Sequence, residues 1–451
     1  MYQPPKTLEE RIKTLRLARG LSQENIANIA GTSVIAISRI ERGQGKCSPE
    51  MLEAIKQGLG LENAPMTDFE IEVYTSRLWT WNELLSAGRK DEAAVLQKKL
   101  APILKLPYEK ELCLLYSLTE TRALHNHIQG DCTVVAEKLD LVKAGIDTAS
   151  IETKHLFHRL KAGMYYIRGD NKASIRHYLK TLDLCSVNMK ADAALYYNLG
   201  TAYFIYGKPL SAILHLEQCR REYNNDIFNH TAHKAAHMLA LCYMGMENYS
   251  KAIALFEEAI IIERRLKDDL SETQSLACLG TVFLRAKKYD KALKCIELVF
   301  SLTNDNDAAS FKIQRIAGLI CKAECMYKLG KPEKVPELYE SAKSIVQSLE
   351  NLIPIDLTQS KMFLTVMECI RLKAAGNKTE YYYYLENEAL PLYLANKSGT
   401  LFHIIIDICE ELETYYRKKR FSKKADSFGL IARDIYKSMF IEDNEDSEDE
   451  E

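Results

Sequence analysis

Few residue groups in this chain have the types and spacing that reaction chemistry requires. Cys321 and Cys325 lie at i, i+4, as do His233 and His237. Each pair falls on one helix face and offers two ligands to a metal. Neither pair has the Glu of a zinc-protease helix or a second ligand pair beside it. His125 and His127 flank Asn126 with no further ligands. The twelve cysteines are scattered through apolar stretches, as at Cys113, Cys242 and Cys369, and read as small core residues in a reducing compartment. There is no Gly-rich phosphate loop, no GxSxG and no paired-carboxylate signature. The expectation is a protein that binds, not an enzyme, with no cofactor and no metal.

The elements that would position binding groups begin at residues 22–43, SQENIANIAGTSVIAISRIERG. Ser22 opens a first helix that runs through Ala30, and Gly31 breaks it. Ser33 caps a second helix to about Glu41, and Gly43 stops it. Two short helices joined by a tight turn form a helix-turn-helix unit, whose second helix enters the DNA major groove. Amphipathic helices flank it. Thr7 to Arg19 aligns Leu8, Ile12 and Leu15, and Pro49 to Leu59 aligns Met51, Leu52, Ile55 and Leu59.

The block Leu8–Leu61 resembles the lambda-repressor/Cro-like (XRE) DNA-binding domain, through ERIKTLRLARGLSQENIA, ISRIERG and SPEMLEAIKQGLGL. The resemblance places Gln23 at the start of the first motif helix, against a phosphate. It puts Ser33, Val34, Ile35, Ser38 and Arg39 on the exposed side of the recognition helix, and Arg42 and Lys46 beside the DNA backbone. Val34 and Ile35 suit thymine methyl groups, and Arg39 is the candidate for a hydrogen-bonded base contact. The other reading of Arg39 is a pair with Glu41 or a phosphate. One head makes few contacts, so a homodimer on a two-part operator is implied.

Composition limits the alternatives. The chain has 451 residues, is 47% hydrophobic and 27% charged, and carries a net charge of −2. DNA binding must therefore come from a local basic patch. The last stretch, Glu442–Glu451, is nearly all acidic, so residues 441–451 read as a disordered tail. Such a tail serves solubility, or mimics DNA and inhibits the head. MYQPPKTLEERIK is no signal peptide, and no apolar run reaches the roughly 18–20 residues of a membrane span. A cytoplasmic protein without membrane contact is expected.

Residues 1–64 form the head, and ENAPMTD (62–68) links it to a long helical region, 65–400, that repeats. In Ala194–Cys219, Tyr196, Leu199-Gly200 and Tyr203 precede a turn at Gly207, and Ala212 and Leu216 follow it. The layout recurs from Met238 (Ala240, Tyr243, Tyr249, Ala252, Phe256) and from Ser275 (Leu279-Gly280, Phe283, Tyr289, Ala292). Weaker copies turn at Gly88, Gly130, Gly169, Gly330 and Gly376. This is the tetratricopeptide pattern, spaced more widely than its standard 34 residues, in about nine hairpins. An all-α chain follows: a lambda-repressor-like head, then a right-handed α-solenoid whose concave face is lined by the first helix of each pair. The face shared across repeats gives a groove set: Arg159, Tyr166, Tyr197, Thr201, Lys234, His237, Gln274, Arg285, Glu324 and Tyr327. Its basic members suit a peptide carboxylate. In the terminal hairpin, 401–440, Ile405, Ile408, Leu412, Phe428, Ile431 and Ile435 predict an apolar end face covered by a two-fold mate.

An XRE head followed by such an array resembles the RRNPP family of peptide-responsive quorum-sensing regulators, and the related arbitrium receptors. The resemblance implies a short signal peptide bound in the groove that alters dimer geometry or DNA affinity. It also implies a backbone anchor at Asn198, the Asn before Leu-Gly in YYNLG, since a carboxamide both donates to and accepts from a peptide unit. Leu160, Met238, Cys278 and Cys321 stand at that place in other repeats, so no ladder of Asn exists. The rival expectation is a tetratricopeptide protein-interaction scaffold whose head is constitutive or vestigial.

Overall fold

The computed structural model describes residues 12–13, 16–17, 20–45, 47–59, 68–105, 109–125, 132–185, 192–222, 230–304, 308–350 and 357–440. Among these residues every regular element is helical. The chain divides into two compact units, Met1–Lys190 and Ala191–Glu451, so the division falls inside the repeat region.

In the first unit the head contains α1 (Gln23–Ile29), α2 (Val34–Glu41) and α3 (Pro49–Gly58). The caps work as the sequence requires. The Ser22 hydroxyl accepts from the Asn25 N–H, and the Asn25 side chain accepts from Ser22 N–H, closing a capping box. The Ser33 hydroxyl accepts from the Ala36 N–H. Gly31 and Gly43 stand at φ +62° and +70°, where a Cβ is strained. Ile12, Ile26, Ile37, Ile40, Ile55 and Leu59 form the head core. Of the expected helix Thr7–Arg19, only 12–13 and 16–17 are described, and they are helical. Helices α4 (Asp68–Ser86), α5 (Lys90–Leu100), α6 (Lys110–His125), α7 (Thr133–Ile146), α8 (Ile151–Ile167) and α9 (Asn171–Asp183) follow. Trp81, Tyr116, Leu139 and Phe157 lie in their shared core.

The second unit stacks hairpins α10–α11 (Ala193–Tyr206, Pro209–Glu222), α12–α13 (His230–Gly245, Tyr249–Leu266), α14–α15 (Asp269–Arg285, Tyr289–Thr303) and α16–α17 (Ala309–Lys328, Val335–Glu350). Leu199, Leu239 and Leu279 occupy one buried position, and Leu216, Phe256 and Ile296 another. A Cβ on Gly200 would stand 2.7 Å from Leu216 Cγ, so glycine is what lets α10 and α11 cross this closely. After them come α18 (Leu357–Ala374), α19 (Lys378–Tyr384), α20 (Leu390–Ala395), α21 (Phe402–Lys418) and α22 (Ser422–Phe440).

The terminal hairpin departs from expectation. Ile405, Ile408, Leu412, Phe428 and Ile435 are buried, and Ile431 is partly so, in one cluster with Leu372, Tyr381, Leu385 and Leu390. The preceding repeat and the hairpin's own two helices cover this apolar face. It is core, and not a surface awaiting a mate. The acidic stretch 441–451, the linker 62–67 and Lys46 lie outside the described residues.

Candidate functional site

The head presents a reading face. Val34 and Ile35 are 42% and 66% exposed at the start of α2, and Arg39 is exposed on the same helix. Glu41 is closed to Arg39. It is buried, and its carboxylate accepts from Arg16 Nε at 2.5 Å and Nη2 at 3.0 Å. Gln23 Nε2 donates to the same carboxylate at 2.7 Å. Burial opposes the charge, yet the hydrogen bonds from Arg16 and Gln23 and the charges of Arg16 and Lys13 hold Glu41 below the usual carboxylate range. Gln23 thus starts its helix as expected, but its side-chain donor is engaged in an interior ion pair and not free for a phosphate. Ser33 spends its hydroxyl on the cap. Arg42 donates from Nε to the Ser38 carbonyl at 3.0 Å and from Nη2 to the Ser38 hydroxyl at 3.1 Å, which fixes the guanidinium at the end of α2.

In the repeats of the first unit, Arg159 and Tyr166 are half-buried on α8, and both act on the buried hydroxyl of Tyr178 on α9. In the second unit, α10 carries Tyr197, Asn198 and Thr201. Asn198 is half-buried. The Thr201 hydroxyl donates to the Tyr197 carbonyl one turn back, at 2.8 Å, and burial pushes the Tyr197 hydroxyl up. Lys234 on α12 and Gln274 on α14 are exposed.

Three members of the groove set are already engaged. Arg285 donates from Nη2 to Asp407 of α21 at 2.7 Å and also bonds Tyr249. Glu324 and Tyr327 line a cavity of about 140 Å³ together with Ile404, Asp407 and Ile408 of α21. The terminal hairpin therefore stands against the C-terminal ends of α14 and α16. Sequence reasoning could not foresee this, because Arg285 and Asp407 lie 122 residues apart.

His237 bonds inside the repeats and is not a free groove group. Its ring meets Phe256 edge-on and its Nδ1 lies 2.9 Å from the Ser275 hydroxyl. It belongs to a polar cluster between α12, α13 and α14 in which His233, Glu263 and Ser275 are buried and His237 is half-buried. The Ser275 hydroxyl donates to Glu263 at 2.9 Å, so the His237 Nδ1–H donates to Ser275. His233 Nε2 lies 4.0 Å from the same Glu263 oxygen. Glu263 is 1% exposed. Burial pushes its carboxyl up to about 7, Asp268 and Glu272 add repulsion, and the Ser275 bond opposes them. Burial, with His233, brings His237 down to about 4. His237 Nε2 and Glu263 Oε2 find no hydrogen-bond partner among the described residues. Histidine and carboxylate both hold the hydroxyl between them, and no solvent reaches it, so the trio lacks the geometry of an activated nucleophile.

Comparison with known proteins places this architecture. A helix-turn-helix domain family matches residues 8–68 and a tetratricopeptide repeat family matches residues 231–304. No curated protein matches the sequence. Among solved structures, the apo quorum sensor NprR from B. thuringiensis is 19% identical with a TM-score of 0.62, over 81% of this chain and 99% of that one. NprR in complex with its cognate peptide NprX is 19% identical with a TM-score of 0.58, over 80% and 98%. A Rap protein complexed with Competence and Sporulation Factor is 15% identical with a TM-score of 0.60, over 82% and 99%.

The chain has the fold of the NprR and Rap proteins. The head and repeat array read from the sequence are borne out at that level. The matched head spans the Leu8–Leu61 block on which the resemblance rested. The matched repeats, 231–304, contain Lys234, Gln274 and Arg285 as well as the polar cluster around Ser275.

Proposed function

We propose that the chain is a non-enzymatic, cytoplasmic transcription regulator of the RRNPP type. It binds operator DNA as a homodimer through an XRE-type head, under control of a short signal peptide held on the repeat array. The observation that carries the reading is the pairing of an exposed reading face, Val34, Ile35 and Arg39, with an array of the NprR fold. That NprR was solved in complex with its cognate peptide supports the ligand class. The half-buried carboxamide at Asn198 supports an anchor there, because it can both donate to and accept from one peptide unit.

Two expectations follow for the sites. Arg39→Ala should lose about 1–3 kcal/mol of binding to the selected operator, while Arg42→Ala should weaken all sequences by a similar factor. Selection of bound genomic fragments followed by gel shifts checks both. If the intact chain enriches no sequence, the regulator reading is wrong.

Asn198→Ala should weaken peptide binding by about 1–3 kcal/mol, roughly tenfold to a hundredfold, and leave DNA affinity without peptide unchanged. The test uses peptides that co-purify with the intact protein, identified by mass spectrometry and titrated back by calorimetry. Unchanged affinity in the variant removes Asn198 from the site.

A further inference from the structure

The second unit closes on itself through α21, and the two sides of that helix differ in chemistry. Towards the end of the chain, Ile405, Cys409 and Leu412 pack with Leu385 and Tyr393 in a continuous apolar core. Towards the start of the unit the contact is close and runs through two glycines and one ring. Gly399 meets the Phe204 carbonyl and Gly207 so closely that a Cβ has no room, and the Phe402 ring covers Gly207 in the same way. Beyond them stands the Arg285–Asp407 pair, with side chains 22% and 55% exposed. Ion pairs this open to water contribute little net stability.

The charges around the pair strain the seam further. Burial, then Asp407, Glu247 and Glu413, push the Glu410 carboxyl up. Closing the seam therefore sets Asp407 against the Arg285 guanidinium and also near Glu410, whose carboxyl meets the charge of Glu247 as well. Opening it would take Asp407 and Glu410 away together and leave Arg285 beside Tyr249.

We propose that Arg285 recognises a carboxylate of the bound peptide and that Asp407 is a built-in stand-in for it, so that ligand binding and release of the seam are one event. The inference rests on the peptide-responsive reading above. A guanidinium takes either carboxylate with the same fork of donors, so the exchange swaps one ion pair for another. A ligand that needs the open seam shifts the equilibrium by the difference in its affinity for the two forms. The terminal repeats, held by their own apolar core, then move as one piece.

The test uses the intact protein, Asp407→Asn and Arg285→Gln. The probes are randomised hexapeptide pools made as free acids or C-terminal amides, each with and without Asp and Glu. Hydrogen exchange over residues 399–418 reads the seam, and it should quicken about twofold to fivefold in both variants. Binding separates them. Asp407→Asn should bind carboxylate-bearing pools several-fold more tightly than the unmodified protein. Arg285→Gln should lose the preference for those pools over pools lacking carboxylates. Preference for free acids identifies a peptide C-terminus, and preference for acidic amides identifies a side chain. If both variants treat the pools alike, Arg285 is only half of a structural pair and the inference fails. Unchanged exchange in both variants also overturns it. If no pool binds the unmodified protein or Asp407→Asn, the peptide-responsive reading falls, and this inference with it.

Discussion

Glu41→Ala should destabilise the helix-turn-helix head by about 3–5 kcal/mol and abolish DNA binding, although Glu41 faces the interior. Arg16 and Glu41 are 7% and 5% exposed. Removing the carboxylate strands a buried guanidinium and the Gln23 amide, both of which now bond it. An uncompensated buried charge costs more than the intact pair contributes. Domains of this kind are stable by about 5–15 kcal/mol, so the loss removes a large share. Hydrogen exchange of α1 to α3 in the full chain measures it. The double variant Arg16→Met/Glu41→Leu should recover much of the stability, because an apolar pair of similar volume removes the stranded charge and leaves only the neutral Gln23 amide and Leu21 carbonyl, both partly exposed, without their partners. A loss below about 1 kcal/mol in Glu41→Ala would show that water reaches the pair.

The second large effect depends on pH. The Glu263 carboxyl titrates near 7 in the fold, against 4.5 ordinarily. A raised carboxyl pKa means that the fold favours the protonated form. Its contribution is complete below pH 4.5, declines as pH rises and is lost once pH passes about 7. His237 works in the opposite sense. Its folded value near 4 favours the neutral ring, a contribution present above pH 6.5 and lost as pH falls towards 4. Glu263→Gln keeps a donor and an acceptor but cannot ionise. Relative to its own stability at pH 5, the variant should gain on the unmodified protein at pH 8, by as much as about 3 kcal/mol. Urea unfolding of both proteins at the two pH values isolates the Glu263 contribution from that of the histidines. Parallel pH dependence in the two proteins would mean that Glu263 ionises in the fold without cost.

What could be read from the sequence was local. Ser22, Ser33, Gly31 and Gly43 fix the helix ends of the head within a few residues of one another. The repeats announce themselves because Gly200 and Gly280, or Ala212, Ala252 and Ala292, recur where helices cross. What escaped was set by contacts between distant residues. Glu41 finds Arg16 twenty-five residues back, and this decides that Arg39 is free while Gln23 is engaged. Asp407 finds Arg285 only when the second unit closes. His237 shares its helix with exposed Lys234 yet faces inward, because Ser275 on the next hairpin offers it a hydroxyl. The apolar residues of 401–440 were recognised as needing cover, but the cover came from α18 to α20, which periodicity alone does not reveal.

Peptide binding on the repeats should change what the head does to DNA. The direct measurement is fluorescence anisotropy of a labelled operator, obtained by genomic selection, titrated with the full chain with and without a saturating co-purified peptide. The peptide should shift operator affinity by roughly fivefold or more, a coupling of about 1–3 kcal/mol. Asn198→Ala should require roughly tenfold more peptide to reach the same shift. Operator affinity that stays the same at every peptide concentration, with the peptide shown to be bound, would make the array a scaffold and not a receptor that controls the head.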